Sequence, residues 1–350
     1  MERRVSPYED VLVTNGRRSG AVIAIAVHST VLGPALGGAR LWHYESTKAG
    51  LDDAMRLARA MTYKAAAAGL PLGGGKGVIC APRPEAPAGE ERRAILLDFG
   101  DAVEALAGRY VTAEDVGTSA ADMAVIAERT SHVVGLPPEQ GGSGDPSQIT
   151  ARGVLAAIRA CLTHRTGSQS LVGKRVCVVG AGHVGTHLAR MLVDGGAELL
   201  ISDIDPERRS LARRLGAAWV EPAKAKTAAC DLLAPCALGE AVDRSSLSTL
   251  RCGIVCGSAN NVLADERLAE GLAARRILYA PDFIANAGGL ISVYGELHGL
   301  DRAEVLRLVD EIGPTLERIL ATAAETPTTP LAAARELARA RLSEAARVAA

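Results

Sequence analysis

No stretch of this chain is apolar over the roughly 20 residues a bilayer-crossing helix requires, so no membrane span is expected. The first residues, Met1-Glu2-Arg3-Arg4-Val5-Ser6-Pro7, lack the apolar centre of a signal peptide, and the expected location is cytoplasmic. Excess charge is also missing: 39 Lys+Arg against 40 Asp+Glu leave a net charge of -1 with the signs interspersed. That offers no basic face for nucleic acid and no polybasic segment for anionic lipid. There is no Cys-x-x-Cys. Seven cysteines is an odd number, and Cys177, Cys230, Cys252 and Cys256 fall in or beside apolar strand-like runs, as reduced buried fillers do. Cys252 and Cys256 could form half of a metal site, but no histidine or carboxylate cluster completes it, so no metal is expected. No internal repeat appears. Small molecules and further copies of the chain remain as partners.

What is present is ordinary for a globular protein: 48% hydrophobic and 23% charged residues in 350, more than one core usually organises. Two domains are expected, residues 1–138 completed by a C-terminal helix from about 325 to 350, and residues 139–324. The pattern predicts a strand over 21–28, a helix over 47–68, a strand over 77–81, a helix over 90–106, a strand over 109–113 and a helix over 119–129 capped near Thr118. Residues 135–146 hold four glycines and three prolines, a composition suited to a hinge or active-site loop. Beyond it come a helix over 147–164, strands over 175–179, 198–203, 231–234, 253–256 and 277–279 alternating with helices, and helices over 286–298, 302–324 and from 331 onward. Such alternation implies a parallel sheet with helices on both faces.

The strand Arg175-Val176-Cys177-Val178-Val179 runs directly into Gly180-Ala181-Gly182-His183-Val184-Gly185 and a helix, and Asp203 closes the next strand. This is the context a dinucleotide fingerprint needs. Gly180 permits the tight turn, Gly182 lets a pyrophosphate approach the backbone at the helix N-terminus, and Gly185 allows helix to pack on strand. Asp203, with Asp205 as a nearby competitor, can accept hydrogen bonds from a ribose and would repel a 2′-phosphate, which favours NAD over NADP. His183 and His187 lie four apart but lack a third ligand, so a phosphate-proximal or surface position fits them better than metal binding.

Lys76 ends the run Gly73-Gly74-Gly75 between apolar segments with no other charge nearby. Poor solvation there would lower its pKa toward values useful for a base, although a solvated turn lysine has the same local sequence. Lys64 falls at the border of the apolar arc of the 47–68 helix. The segments Leu32-Gly33-Pro34-Ala35-Leu36-Gly37-Gly38-Ala39-Arg40, Met61-Thr62-Tyr63-Lys64, Gly69-Leu70-Pro71-Leu72-Gly73-Gly74-Gly75-Lys76 and Thr112-Ala113-Glu114-Asp115-Val116-Gly117-Thr118 resemble the amino acid dehydrogenase family. So do Ala234-Pro235-Cys236-Ala237-Leu238-Gly239, Gly257-Ser258-Ala259-Asn260-Asn261 and 279–289, in the same order. The likeness spans about residues 20 to 300 and is greatest to the leucine and valine dehydrogenases.

The resemblance implies an α/β fold of two domains, an N-terminal substrate domain and a Rossmann-type doubly wound NAD domain, with the active-site cleft between them. It implies NAD-dependent, reversible oxidative deamination of an amino acid to its 2-oxo acid and ammonia. Lys64 would clamp the substrate carboxylate, Lys76 would be the base that activates water, and Asp115 would bind the ammonium and shuttle protons. Two lysines at one site disfavour each other's charge, which would lower Lys76 further and put the deamination optimum on the alkaline side. Cofactor contacts are implied from Thr150, Gly180, Gly182, His183, Val184, Gly185, Asp203, Ile204, Cys236, Ala237, Ala259, Asn260 and Asn286. A cap is an equally good role for Thr150, and strand-end capping is the bland role for the asparagines. Dimers or octamers occur in the family.

Substrate contacts are implied from Gly37, Gly38 and Asn261, and a side-chain pocket from Leu36, Ala113, Leu290 and Val293. The pocket is apolar, so a second carboxylate would be buried unpaired at a cost of several kcal/mol, which disfavours glutamate. Leu36 resembles the aliphatic-specific enzymes, whereas Leu290 stands where leucine dehydrogenases usually carry valine. One methylene discriminates by only ~1–3 kcal/mol, so valine, leucine and isoleucine are all expected substrates. The alternatives are reductive amination of an aromatic or non-protein 2-oxo acid, and a catalytically silent NAD-binding regulatory module.

Overall fold

The computed structural model describes residues 7–237 and 239–349. Residues before Pro7, from which the lack of a signal peptide was read, and Leu238 lie outside the described residues. By contacts the chain forms two compact units. The first comprises the described residues up to Asp145, with Val293–Leu300 and the chain from Ala338. The second comprises Pro146–Ser292 and Asp301–Leu337.

In the first unit, β1 (Asp10–Asn15), β2 (Val22–Ser29), β3 (Ala35–Trp42), α1 (Thr47–Ala67), β4 (Gly73–Cys80), α2 (Gly89–Glu104), β5 (Tyr110–Glu114) and α3 (Ala120–Ile126) follow in order. The sheet runs β1-β2-β4-β3-β5, with β3 parallel to both β4 and β5 and the β1 and β2 pairings antiparallel. Strand alternation divides its two faces. Ile23 and Ile25 enter a core with Phe99, Tyr110, Met123 and Ile126, while Ala24, Ala26 and Val78 pack with Ala54 and Ala58 of α1. Ser46 caps α1, its hydroxyl accepting from the Ala49 amide. The buried positions Gly50, Ala54, Ala58 and Thr62, one helical turn apart, give α1 a flat face that comes close to the sheet. A Cβ on Gly74 would lie 2.1 Å from the Thr62 nitrogen.

Two strands here were not predicted, β1 and β3, and β4 begins at Gly73 rather than 77. Lys76 therefore sits inside a strand, not at the end of a glycine turn. The Gly/Pro segment 135–146 is held by Glu296, whose carboxylate accepts from the amides of Gly135 (2.7 Å) and Ser143 (2.8 Å).

The second unit continues with α4 (Ser147–Thr166), β6 (Arg175–Val179), α5 (His183–Asp194), β7 (Glu198–Ser202), α6 (Arg209–Arg214), β8 (Ala218–Trp219), α7 (Pro222–Ala225), β9 (Leu232–Pro235), α8 (Arg244–Leu247), β10 (Ile254–Val255), α9 (Leu268–Ala274), β11 (Leu278–Tyr279) and α10 (Asp282–Ala285). Its all-parallel sheet has the order β11-β10-β9-β6-β7-β8, a doubly wound arrangement whose order reverses between β6 and β9. The chain ends with α11 (Gly288–Leu297), α12 (Arg302–Asp310), α13 (Ile312–Glu325) and α14 (Pro330–Ala349). The helices predicted over 286–298 and 302–324 are corrected: Asn286 is the C-cap of α10, outside α11, and the second helix breaks at Glu311 into α12 and α13. Among the described residues no helix is long and apolar enough to cross a membrane.

Candidate active site

Lys76 is 4% exposed and shares a sheet face with Gly74 and Val78, the face that α1 covers. Lys64, half-buried, is carried on that same helix. From β3, Leu36, Gly38 and Arg40 turn to this face, since Arg40 reaches Asp53 on α1 and a Cβ on Gly38 would lie 2.7 Å from the Asp115 Cβ. Ala113 pairs directly with Gly38 in the parallel β3–β5 ladder and so faces the same way. Leu36 is 1% exposed, and Gly37 lies so near β4 that a Cβ there would be 1.8 Å from the Gly75 oxygen. Thus Leu36, Gly37, Gly38, Lys76, Ala113 and Asp115 gather at one place in the first unit.

The Lys76 Nζ lies 2.8 Å from Asp115 Oδ2. The same oxygen accepts from Arg40 Nε at 2.8 Å, and Arg40 Nη1 donates to Asp53 Oδ2 at 3.0 Å, which also takes the Tyr44 hydroxyl proton at 2.7 Å. Burial pushes the Lys76 ammonium below the ordinary lysine range; Asp115 opposes this and Arg40 reinforces it. Burial alone would push the Asp115 carboxyl up, but Lys76 and Arg40 outweigh it and hold the group below its ordinary value. The site therefore pairs a carboxylate stabilised by two cations with an ammonium that burial disfavours.

Thr118 is not the cap of α3. Ser119 is, with the Ser119 amide and hydroxyl both donating to Asp122 at 2.8 Å. Thr118 instead accepts from the Asp115 amide at 2.9 Å and donates to the Ala39 carbonyl at 2.8 Å, fixing the turn that carries Asp115. Nothing in the local sequence around Arg40, Asp53, Tyr44 or Thr118 points to a site role. Alternation along β3 would have put Arg40 on the face of Leu36 and Gly38, had the strand been recognised.

In the second unit the glycine turn follows β6 at the order reversal. Gly180 has φ +100°, the left-handed region, and a Cβ there would lie 2.5 Å from the Ala237 nitrogen, so the turn after β6 and the Cys236–Ala237 segment after β9 are in contact. A Cβ on Gly185 would be 2.0 Å from the Gly180 oxygen, which is the helix-on-strand packing expected of it. Nothing lies within 4 Å of a Cβ built on Gly182, the N-cap of α5, so the backbone there is open to a ligand. This geometry fits a dinucleotide pyrophosphate at a helix N-terminus. Val184 is half-buried and His183 exposed on the first turn of α5. Asp203 accepts from the Ala181 amide at 2.6 Å and the Asp205 amide at 2.8 Å, leaving lone pairs on both oxygens. Asp205 is occupied as a cap, accepting from the Glu207 amide at 2.9 Å. Beside Asp203, Ile204 is 90% exposed, an apolar side chain turned to solvent.

Asn286, 4% exposed, donates to Asn260 Oδ1 at 2.7 Å and to the carbonyls of Ser258 and Ala259 at 3.3 Å, which joins Ala259, Asn260 and Asn286 in one cluster. Asn261 is exposed with φ +52°, and its carbonyl takes the Glu240 amide proton at 2.7 Å. The cap of α4 is Pro146, not Thr150, whose hydroxyl donates back to the Pro146 carbonyl at 3.0 Å. Thr150 packs on the start of α11, where a Cβ on Gly288 would lie 2.8 Å from its Cα. Leu290 and Val293 are one turn apart on α11, Leu290 within the second unit and Val293 within the first. Among the described residues, no three His, Cys, Asp or Glu side chains form a possible metal site.

Residues 10–132 match the family model described as "Glu/Leu/Phe/Val dehydrogenase, dimerisation domain", and residues 141–206 and 201–349 match "Glutamate/Leucine/Phenylalanine/Valine dehydrogenase". The chain is 44% identical to the leucine dehydrogenase of Geobacillus stearothermophilus over 317 residues, covering 90% of this chain and 85% of that protein. It is 44% identical to the valine dehydrogenase of Streptomyces virginiae over 342 residues, covering 97% and 94%. The crystal structure of L-tryptophan dehydrogenase from Nostoc punctiforme matches with a TM-score of 0.85 at 38% identity, covering 97% of both chains.

Proposed function

We propose, since the chain belongs to the Glu/Leu/Phe/Val dehydrogenase family and is an amino acid oxidoreductase, that it catalyses the reversible NAD-dependent oxidative deamination of branched-chain aliphatic L-amino acids. The observation that carries this reading is the buried Lys76 ammonium 2.8 Å from the Asp115 carboxylate, on a face that also holds Leu36 and Ala113. Lys64 binds the substrate carboxylate. A bound nicotinamide would supply the acceptor for the hydride of the substrate Cα. Asp115 accepts a hydrogen bond from the substrate ammonium and takes the proton that nitrogen gives up as the imine forms, and in doing so loses its hold on Lys76, whose own proton passes to solvent. Lys76, already poorly solvated, then serves as the base that takes a proton from water as it attacks the imine carbon. Asp115 returns to the nitrogen the proton it took from the substrate ammonium, the C–N bond breaks to release ammonia, and the adduct's hydroxyl proton passes to solvent as the 2-oxo group forms.

The glycine turn and the asparagine cluster support binding of a nicotinamide dinucleotide through Gly180, Gly182, His183, Val184 and Gly185, with Thr150, Cys236, Ala237, Ala259, Asn260 and Asn286 on the nicotinamide side. NAD rather than NADP is the proposed form, because the Asp203 carboxylate would repel a 2′-phosphate and Ile204 offers an apolar surface to the adenosine. Asp203→Asn should keep the acceptor and remove the charge, lowering the NAD/NADP ratio of kcat/KM by about tenfold. A wild-type enzyme that prefers NADP, or a variant with an unchanged ratio, would remove Asp203 from this role. Assembly into a homo-oligomer completes the proposal, supported by the dimerisation-domain description matched over residues 10–132.

The residues proposed from the family resemblance to set substrate choice are Leu36, Gly37, Gly38, Ala113 and Val293 of the first unit and Asn261 and Leu290 of the second. The test is kcat/KM over branched, aromatic and acidic amino acids with both cofactors. Valine, leucine and isoleucine should fall within about 200-fold of one another, because valine is one methylene smaller than leucine and isoleucine, which are isomers, and glutamate should be inert. The likeness to a tryptophan dehydrogenase makes L-tryptophan and L-phenylalanine the informative competitors: a higher kcat/KM for either overturns the branched-chain assignment. Deamination should rise with pH through an ionisation below the ordinary lysine range.

A further inference from the structure

Two cations share one oxygen at the centre of this site, and one of them has no part in the reaction just proposed. Asp115 Oδ2 receives both Lys76 Nζ and Arg40 Nε at 2.8 Å, although Oδ1 of the same carboxylate would allow them to separate. Arg40 does not float there. Its Nη1 is tied at 3.0 Å to Asp53 Oδ2, and Asp53 is itself held by the Tyr44 hydroxyl at 2.7 Å and by Arg56 Nη2 at 2.5 Å on Oδ1. The guanidinium is thus a rigid strut between α1 and the turn after β5, with its side chain 22% exposed.

We infer that Arg40 is a positioning residue for the deamination: it fixes the Asp115 carboxylate against Lys76, and its cation and the Asp53 carboxylate behind it set, in opposite senses, the pH at which Lys76 releases its proton. The inference rests on the reaction proposed above. A permanent cation sharing the carboxylate withdraws part of the anion's field from Lys76 and adds repulsion of its own, so it favours the neutral amine. Asp53, one residue further back, adds an anion that favours the ammonium. The charged and titratable groups on the elements packed against this strand include Asp115 after β5, Arg40 on β3, Asp53, Arg56 and Lys64 on α1, Tyr44 between β3 and α1, His28 on β2, whose ring is 2.9 Å from the Thr62 hydroxyl, and, on the opposite sheet face, Tyr110, whose hydroxyl is turned to the Gly37 carbonyl. The hold of Lys76 on its proton follows the same signs: burial and Arg40 weaken it, Asp115 and Asp53 strengthen it.

The experiment is the pH profile of kcat/KM for L-valine with NAD in the full-length enzyme, for wild type, Arg40→Gln, Arg40→Lys and Asp53→Asn, with Tm measured for each. In Arg40→Gln the ascending limb should move to higher pH by about one unit, so that activity on the limb falls roughly tenfold. In Arg40→Lys, which keeps the charge, the limb should return toward its wild-type position. In Asp53→Asn it should move the other way, by about half a unit to lower pH. Purely structural damage would lower activity at every pH and could not move the limb in both directions. Unmoved limbs in Arg40→Gln and Asp53→Asn, with wild type active, overturn the role of Arg40 alone. An inactive wild type overturns the deamination reading and this inference with it. Should Arg40→Gln fail to fold, Asp53→Asn decides: a shift to lower pH supports the inference and an unmoved limb overturns it.

Discussion

Lys76→Ala should lower kcat for deamination by about 10³-fold or more while the enzyme still binds NADH and stays folded. Loss of the side chain removes the only buried ammonium on the α1-facing side of β4 among the described residues, but leaves the strand's ladder intact, because Lys76 pairs through its backbone with Ala26 of β2. Asp115 keeps Arg40 as a partner, so no buried carboxylate is stranded. Lys76→Arg sharpens the test. Arginine keeps the cation but cannot deprotonate near neutral pH, so it should be as inactive as alanine if Lys76 is the base. If Lys76 only had to hold a positive charge beside Asp115, arginine would retain much of the rate. A Lys76→Ala enzyme with substantial kcat and a raised KM would identify a binding lysine and move the base elsewhere.

How far this site was legible in the sequence depended on which physical signal each part left there. The glycine turn, its strand and helix, and Asp203 were readable because they are contiguous and each glycine has a local reason, with Gly180 in the left-handed region and Gly185 against the Gly180 carbonyl. Strand β3 was not. Its Gly37-Gly38 pair lies just after Pro34, and glycine and proline ordinarily mark turns. The same expectation misplaced the start of β4 and made Gly73-Gly74-Gly75 read as a turn. Here those glycines serve tertiary packing: Gly74 admits α1, Gly75 faces the Tyr110 ring, and Gly38 makes room for Asp115. The bridge from Arg40 to Asp115 spans 75 residues, and no local spacing encodes it. Thr118 was misassigned because a threonine before a helix ordinarily caps it, whereas here Ser119 does so and Thr118 is free to hold Asp115. Family resemblance supplied Lys64, Lys76 and Asp115; the β3 register explains why the last two meet.

One chemical change, glycine to alanine, should have opposite consequences at two places. At Gly37 the added Cβ would stand 1.8 Å from the Gly75 carbonyl oxygen and 3.3 Å from the Lys76 nitrogen. Both are backbone atoms of the paired strand and cannot swing away, so β3 and β4 must separate along the ladder that runs from Ala35↔Gly73 to Trp42↔Cys80. The cost should be about 3 kcal/mol or more, and Tm should fall by roughly 10 °C. Activity would fall with it, since the same two strands set Arg40 and Lys76 on Asp115. At Gly182 a Cβ meets nothing within 4 Å, and the residue's φ of -69° suits any side chain. Gly182→Ala should therefore keep the wild-type Tm, while the KM for NAD rises by about tenfold or more, a loss of ~1.4 kcal/mol, as the methyl group intrudes where the pyrophosphate meets the backbone. The comparison separates glycine required by the fold from glycine required by a ligand. A Gly182→Ala enzyme with unchanged KM for NAD would mean that the open backbone at the start of α5 is not where the cofactor's phosphates lie. A Gly37→Ala enzyme of undiminished Tm would mean that β3 and β4 can be parted without loss, and the close strand contact could no longer explain how Lys76 and Arg40 come to share one carboxylate oxygen.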